Sequence, residues 1–161
     1  MTILNFIRKA SKLNVFLFFG IAFILMLLSS LIVSFFSSPL GTSNYNVNYL
    51  EHFGKIVTVL IVVIWDPVFE TILYQTLIIY ITRAFVPKIR YNFFISIFIS
   101  SLAFGISHPY SLSYILAATL YGIILATAYY ISLYRKQSAF LIVFLLHSLI
   151  NLLALLTFLQ K

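Results

Sequence analysis

The sequence predicts an all-α protein, a polytopic membrane helical bundle with about five transmembrane helices. Hydrophobic residues make up 63% of the 161 residues, whereas a typical soluble domain contains about 45–50%. Charged residues make up only 8%, too few to cover the surface of a soluble domain. The mean hydropathy is +1.11. These values exclude an ordinary water-soluble enzyme, and they exclude a disordered chain.

Five apolar stretches account for most of the chain, and most of them approach or exceed the roughly 20 residues that span a bilayer as a helix. They run from Leu13 to Phe36, from Lys55 to Thr82, from Phe93 to His108, from Tyr114 to Tyr134 and from Ala139 to Leu159. The first stretch is 24 residues long, longer than the roughly 7–15 apolar residues of a signal peptide. We therefore predict a retained anchor helix.

The positive charges fall in short clusters between the apolar stretches. Ten Lys and Arg residues against three acidic residues give a net charge of +7. The clusters are Arg8, Lys9 and Lys12; Arg83, Lys88 and Arg90; and Arg135 and Lys136. They alternate with connections that carry no Lys or Arg, so the positive-inside rule predicts a cytoplasmic N-terminus and five spans. This pattern is typical of membrane loops, and we expect no nucleic acid partner.

A small set of polar residues lies within the predicted spans, where ionisable groups are costly and therefore indicate function. At about 1.5 Å per residue, Glu70 lies about 18 Å from the predicted cytoplasmic end of its span, His108 about 22 Å, His147 about 12 Å and Asn151 about 18 Å. All four fall within one band of a hydrocarbon core about 30 Å thick. We expect them to converge on one polar cavity.

The chemistry that this cluster predicts is the activation of water. A carboxylate and a neutral imidazole can act on a shared water as general base, and a second imidazole with an amide can stabilise an oxyanion. Alternatively, Glu70, His108 and His147 could hold a divalent metal such as zinc. The sequence leaves both open, and a lone histidine in a membrane helix often only bonds a neighbouring helix. The chain has no cysteine, which excludes a thiolate nucleophile.

The second apolar stretch is interrupted by Asp66 and Pro67. We interpret Asp66 as a helix N-cap and Pro67 as the first helical residue. This predicts a broken span in which the helix that carries Glu70 begins at Pro67.

The fourth stretch contains a ladder of small residues, Ala118, Gly122 and Ala126. Small residues at every fourth position let two helix backbones approach closely in a membrane. We therefore predict a helix-packing face here.

Three segments of the chain match the motifs of a known family. The segment from Pro67 to Gln75, with Glu70, is similar to a first motif that reads Glu-Glu-x-x-x-Arg. The segment Phe104-Gly-Ile-Ser-His108 is similar to a second motif, Phe-x-x-x-His. The segment His147-Ser-Leu-Ile-Asn151 is similar to a third, His-x-x-x-Asn/Asp. The chain thus resembles the CPBP family, the CaaX protease and bacteriocin-processing family of intramembrane proteases, also called the Abi family.

The resemblance implies a role for each of the four residues. Glu70 and His108 would activate the water, and His147 and Asn151 would stabilise the oxyanion. The family is described both as metal-dependent and as glutamate-dependent, so the metal stays open. The resemblance also implies a division of the chain, with residues 1–54 as an anchor helix and extracytoplasmic loop and residues 55–161 as a CPBP-like four-helix core.

The first motif departs from the family pattern at two positions. Thr71 stands where the second Glu is expected, and Gln75 stands where the Arg is expected. Losing the Glu and the Arg together leaves no unpaired charge, whereas losing only one would leave a buried charge without its partner. The departure bears directly on whether the chain is active.

Three functions are compatible with these observations. The first is an endopeptidase of the bacterial plasma membrane that hydrolyses a membrane-associated peptide or protein, in bacteriocin processing or self-immunity. Its expected partners are the lipid bilayer and that substrate. The second is a catalytically inactive protein of the same fold that acts as an immunity or peptide-binding factor. The third is a small transporter or proton-handling subunit, which the lack of an inverted repeat disfavours.

Overall fold

The structure is a computed structural model that describes residues 2–37 and 54–159, and these residues form six helices and no strand. Five of the six are long and apolar enough to cross a membrane, which confirms the predicted polytopic bundle. The predicted loop at residues 38–53 lies outside the described residues. The helices are α1 (Ile3–Ser11), α2 (Val15–Ser37), α3 (Lys55–Phe85), α4 (Ile89–Ile106), α5 (Leu112–Ser132) and α6 (Ala139–Leu159).

Helix α5 lies at the centre of the bundle, since it is the most buried of the five spanning helices and packs against α2, α4 and α6. The ladder of small residues lies on it, with Ala118 and Ala126 buried. A Cβ atom built at Gly122 would come within 2.8 Å of the Ser101 Cα atom of α4. The close approach of α4 and α5 therefore depends on glycine at position 122, which has no side chain, as the sequence predicts.

Helix α3 is continuous, so the predicted break at Asp66 is wrong. Asp66 has helical angles (φ −59°, ψ −51°), and Pro67 lies inside the helix. The turns on either side, Ile61–Trp65 and Thr71–Leu77, are π-helical. A proline removes one helical donor and its ring presses on the preceding turn. The wider π turn before Pro67 accommodates the lost donor and the proline ring. The helix therefore continues through the break that the sequence predicts.

Helix α1 was not predicted, because nine residues are too short to register as an apolar span. It begins after Thr2, whose hydroxyl accepts a hydrogen bond from the Asn5 amide at 3.4 Å. Ile7 is fully buried, whereas Arg8 and Lys9 are exposed. This amphipathic helix packs against α4 and α5.

Arg135, in the turn between α5 and α6, fastens the N-terminal helices to the rest of the bundle. Its guanidinium donates to the Ala10 carbonyl at 3.1 Å and to the Leu13 carbonyl at 2.8 Å. The same group lies 4.8 Å from the centre of the Phe18 ring. The Ala10 carbonyl also accepts from the Leu13 amide at 3.3 Å, so Arg135 adds a donor at the end of α1 and another at Leu13, beyond the helix. Arg135 thus has a structural role in addition to being one of the positive charges in the turn between α5 and α6.

Replacing Gly122 with Ala is expected to destabilise the bundle. The added methyl group meets the backbone of Ser101, which cannot move aside as a side chain could. Overpacking of this kind costs about 1–3 kcal/mol, and we expect the Tm measured in detergent to fall by several degrees. The control is Gly20→Ala in α2, where an added Cβ meets nothing within 4 Å. A Gly122→Ala protein as stable as the Gly20→Ala protein would contradict the close packing of α4 and α5.

Candidate active site

A carboxylate lies between two imidazoles inside the bundle. Glu70 projects from α3, His108 follows the end of α4, and His147 lies in α6. Glu70 Oε1 is 3.5 Å from His108 Nε2, and Glu70 Oε2 is 3.3 Å from His147 Nε2. The structure thus brings three of the four predicted site residues into direct contact, with each imidazole facing a different oxygen of one carboxylate.

The orientation of His108 is set by Phe104, one helical turn earlier. The Phe104 carbonyl lies 2.7 Å from His108 Nδ1, and a carbonyl only accepts, so Nδ1 carries the proton. His108 Nε2 then faces Glu70. The Phe104 ring packs on the His108 ring at 4.7 Å and on the His147 ring at 5.5 Å between centroids. Phe104 was not among the predicted site residues, although it begins the Phe-x-x-x-His segment. Its position four residues before His108 is the sequence feature that could have identified it.

His147 is almost completely enclosed, with 3% of the residue exposed. Within the described residues, its Nδ1 atom has no hydrogen-bond partner. The Glu70 carboxylate is therefore the partner that this ring has, and the neutral ring meets it by carrying its proton on Nε2. His147 acts here as a donor toward Glu70.

Asn151 occupies the next turn of α6 and binds α3. Its Nδ2 atom donates to the Val62 carbonyl at 3.0 Å. In the π turn, the Asp66 amide bonds the Ile61 carbonyl five residues earlier. A bond with the same five-residue spacing would run from the amide of residue 67 to the Val62 carbonyl, but Pro67 has no N–H. Asn151 satisfies the carbonyl that Pro67 leaves without a helical donor. The second N–H of its amide stays available for another acceptor.

Glu70, His108, His147 and Asn151 all line one cavity of about 680 Å³. This is in the range of about 300–1,000 Å³ that ligand pockets occupy. Asp66, one turn before Glu70, also lines it. In the described part of the chain, however, Asp66 forms no ion pair with either histidine.

Thr71 and Gln75 point into the protein core. Both are fully buried. Within the described residues, the Thr71 hydroxyl and both polar atoms of the Gln75 amide have no hydrogen-bond partner. These positions, where the family motif has Glu and Arg, therefore hold neutral groups that leave no buried charge.

The residues do not fit a metal site in this arrangement. Among the described residues, no group of three or more His, Cys, Asp or Glu side chains could hold a metal ion. Zinc ligands lie about 2.0–2.2 Å from a shared centre. Glu70 turns a different carboxylate oxygen to each imidazole, and the three side chains share no such centre in this arrangement.

The comparisons with known proteins agree with the motifs. The family model described as type II CAAX prenyl endopeptidase Rce1-like matches residues 52–153. No curated protein and no solved structure matches the chain significantly. The matched residues cover all of α3, α4 and α5 and most of α6, and they include Glu70, His108, His147 and Asn151. The N-terminal helices α1 and α2 lie outside the match.

The bond from Asn151 to Val62 predicts a coupling between Asn151 and Pro67. Asn151→Ala leaves the Val62 carbonyl without a donor, and an unmade hydrogen bond of this kind costs about 1–3 kcal/mol. Pro67→Ala restores a backbone N–H within reach of that carbonyl. We expect Asn151→Ala to lower the Tm less in the Pro67→Ala background than in the wild type. Equal losses in the two backgrounds would show that Asn151 does not replace the proline's missing donor.

The buried amide of Gln75 predicts opposite effects of two substitutions of similar volume. Gln75→Met removes two unpaired polar atoms and is expected to raise the Tm, because burying an unpaired amide costs about 1–3 kcal/mol. Gln75→Glu puts a carboxyl group at the same place and is expected to lower it. Thermal unfolding of both variants in the same detergent is the measurement. A Gln75→Met protein less stable than the wild type would show that the amide has a partner.

Proposed function

This chain belongs to the type II CAAX prenyl endopeptidase Rce1-like family, and we propose that it is a membrane-embedded endopeptidase. Its substrate in this proposal is a membrane-associated peptide or protein, hydrolysed by a water molecule that Glu70 and His108 activate. The observation that carries the proposal is the position of Glu70 between two imidazoles at the wall of a cavity inside a membrane bundle.

The proposed reaction begins with a water between Glu70 and His108. The 3.5 Å between Glu70 Oε1 and His108 Nε2 is longer than an ordinary hydrogen bond. A water beside both atoms donates one hydrogen to the carboxylate and the other to the unprotonated Nε2. Glu70 takes a proton as the water oxygen bonds the substrate carbonyl carbon. Glu70 then gives that proton to the amine nitrogen as the carbon–nitrogen bond breaks.

His147 and Asn151 are the proposed oxyanion donors. The His147 Nε2 proton faces Glu70 before the reaction. A carboxylate that has accepted a proton is a weaker acceptor, so this donor turns to the negative oxygen as it forms. Asn151 contributes the N–H that does not bind Val62. Donors held in place in this way stabilise the charge without further reorganisation.

The second candidate is an inactive immunity or peptide-binding factor. It is favoured by Thr71 and Gln75, which replace a charged pair of the family motif with buried neutral groups. A binder needs the shape of the cavity and tolerates Glu70→Gln, which has nearly the same shape. A peptidase does not tolerate it. In cells, the comparison is the bacteriocin sensitivity of a deletion strain that carries wild type, Glu70→Gln or His147→Ala at equal abundance.

Glu70→Gln is expected to abolish peptide hydrolysis, because the amide cannot take the proton of the water. Loss of a general base lowers the rate by about 10²–10⁴-fold. The matched control is Asp66→Asn, the same chemical change one turn earlier in α3. We expect it to keep most of the activity, because Asp66 forms no ion pair with either histidine in the described part of the chain. The assay measures cleavage of a prenylated CAAX peptide and of a pool of quenched-fluorescence apolar peptides in proteoliposomes. Equal activity of Glu70→Gln and wild type rules out Glu70 as the base.

A further inference from the structure

One wall of the cavity comes from outside the part of the chain that matches the family. Four residues of α2 line the cavity with the catalytic candidates: Leu27, Ser30, Val33 and Ser34. Their spacing places them on one face of the helix. Positions of α2 that do not line the cavity carry strongly exposed apolar side chains, among them Leu31 at 66% and Ile32 at 55% exposure. Helix α2 thus has a cavity face and a lipid face.

A hydrogen bond between hydroxyl groups joins α2 to α5 across this wall. Ser30 Oγ contacts Tyr121 Oη, and Ser30 Oγ also donates to the Met26 carbonyl at 3.1 Å. A serine hydroxyl has a single hydrogen. We assign the Ser30 hydrogen to the Met26 carbonyl and the Tyr121 hydrogen to Ser30. The phenol oxygen of Tyr121 is then left with acceptor capacity only, and Tyr121 lines the cavity.

Apolar residues, some of them small, also line this wall. Ala117 and Ala118 of α5 line the cavity together with Leu27 and Val33 of α2. Small side chains on one side leave room for a bulky apolar group beside the phenol oxygen. The space is continuous with Glu70 and the histidines, so its occupant is the molecule that reaches those residues.

We propose that the face formed by Leu27, Ser30, Val33, Ala117 and Tyr121, the α2–α5 wall, is a substrate subsite. It takes an extended apolar peptide segment next to the reacting bond. Tyr121 accepts a hydrogen bond from a backbone N–H of that segment, and the apolar side chain fills the space between Val33 and Ala117. Tyr121 is a specificity-determining residue and Ser30 is the positioning residue that fixes its proton. The proposal rests on the proposed peptidase function, but its tests measure binding.

The first test uses the absence of cysteine from the chain. Leu27→Cys and Val33→Cys place a thiol on the cavity face, and Leu31→Cys and Ile32→Cys place one on the lipid face. The proteins in proteoliposomes are treated with a charged methanethiosulfonate. We expect the cavity thiols to react about tenfold faster or more, because the reactive thiolate forms in a wet polar cavity and not in lipid. Equal rates on the two faces would overturn the proposal.

The second test measures occupancy in the Glu70→Gln background, where no cleavage consumes the probe. The probe is an acetylated and amidated pentapeptide of Leu, Ala and Phe. We expect it to slow the labelling of Val33→Cys and to leave that of Leu31→Cys unchanged. Protection without hydrolysis by the parent protein would keep the subsite and reject the peptidase. Hydrolysis by the parent without protection here would keep the peptidase and reject the subsite.

The third test separates recognition by Tyr121 from packing. Tyr121→Phe removes the acceptor and is expected to weaken protection by about three- to tenfold, the usual value of one hydrogen bond. Ser30→Ala keeps the phenol oxygen but removes the group that fixes its proton, and is expected to weaken protection less than Tyr121→Phe does. Probes are then methylated at one backbone nitrogen at a time, which removes that N–H. At one of these positions, the probe should protect the Tyr121→Phe protein and the parent equally. A Tyr121→Phe protein that binds like the parent, or no such position, would overturn the role of Tyr121.

Discussion

The contact of one carboxylate with two imidazoles is the constraint on which the site depends. A carboxylate among membrane helices needs donors, because lipid supplies none. Glu70 finds one in the Nε2 proton of His147 in α6, and it faces the unprotonated Nε2 of His108, which follows the end of α4. Each histidine in turn needs a fixed tautomer. His108 receives it from the Phe104 carbonyl, and enclosed His147 turns its Nε2 proton to Glu70. The packing of α3, α4 and α6 is thus tied to a small polar centre whose side chains hold one another in fixed orientations.

The geometry of α3 places Glu70 in that centre. A proline inside a spanning helix would ordinarily break it or leave a carbonyl without a donor. Here the π turn Ile61–Trp65 makes room for Pro67, and Asn151 of α6 supplies the donor that Pro67 lacks. The π turn and the bond from Asn151 to Val62 together allow Pro67 to lie inside a continuous helix. Asn151 therefore links the stability of α3 to the residue that forms part of the proposed oxyanion site, and one side chain serves both.

The N-terminal helices are integrated into the core and are more than an anchor. Arg135 holds the turn between α1 and α2 through two carbonyls, and Ser30 joins α2 to α5 through Tyr121. These bonds set α2 against the cavity, where it supplies a wall that the family-matched residues lack. The polar centre thus lies within the family-matched residues, whereas this wall of the cavity does not.

The sequence by itself determined the class of fold, because hydropathy is a local property, and the rise per residue indicated that Glu70, His108 and His147 could meet. It also indicated the packing face at Gly122, since small residues report close approach directly. It did not determine the continuity of α3, because a π turn that accepts Pro67 leaves no mark in composition. It missed α1, which is too short for a hydropathy signal. The partner of Asn151, the burial of Thr71 and Gln75, and the cavity face of α2 were decided only by the tertiary structure. Each of these depends on which helix lies opposite, and a linear pattern does not specify the relative rotation of two helices.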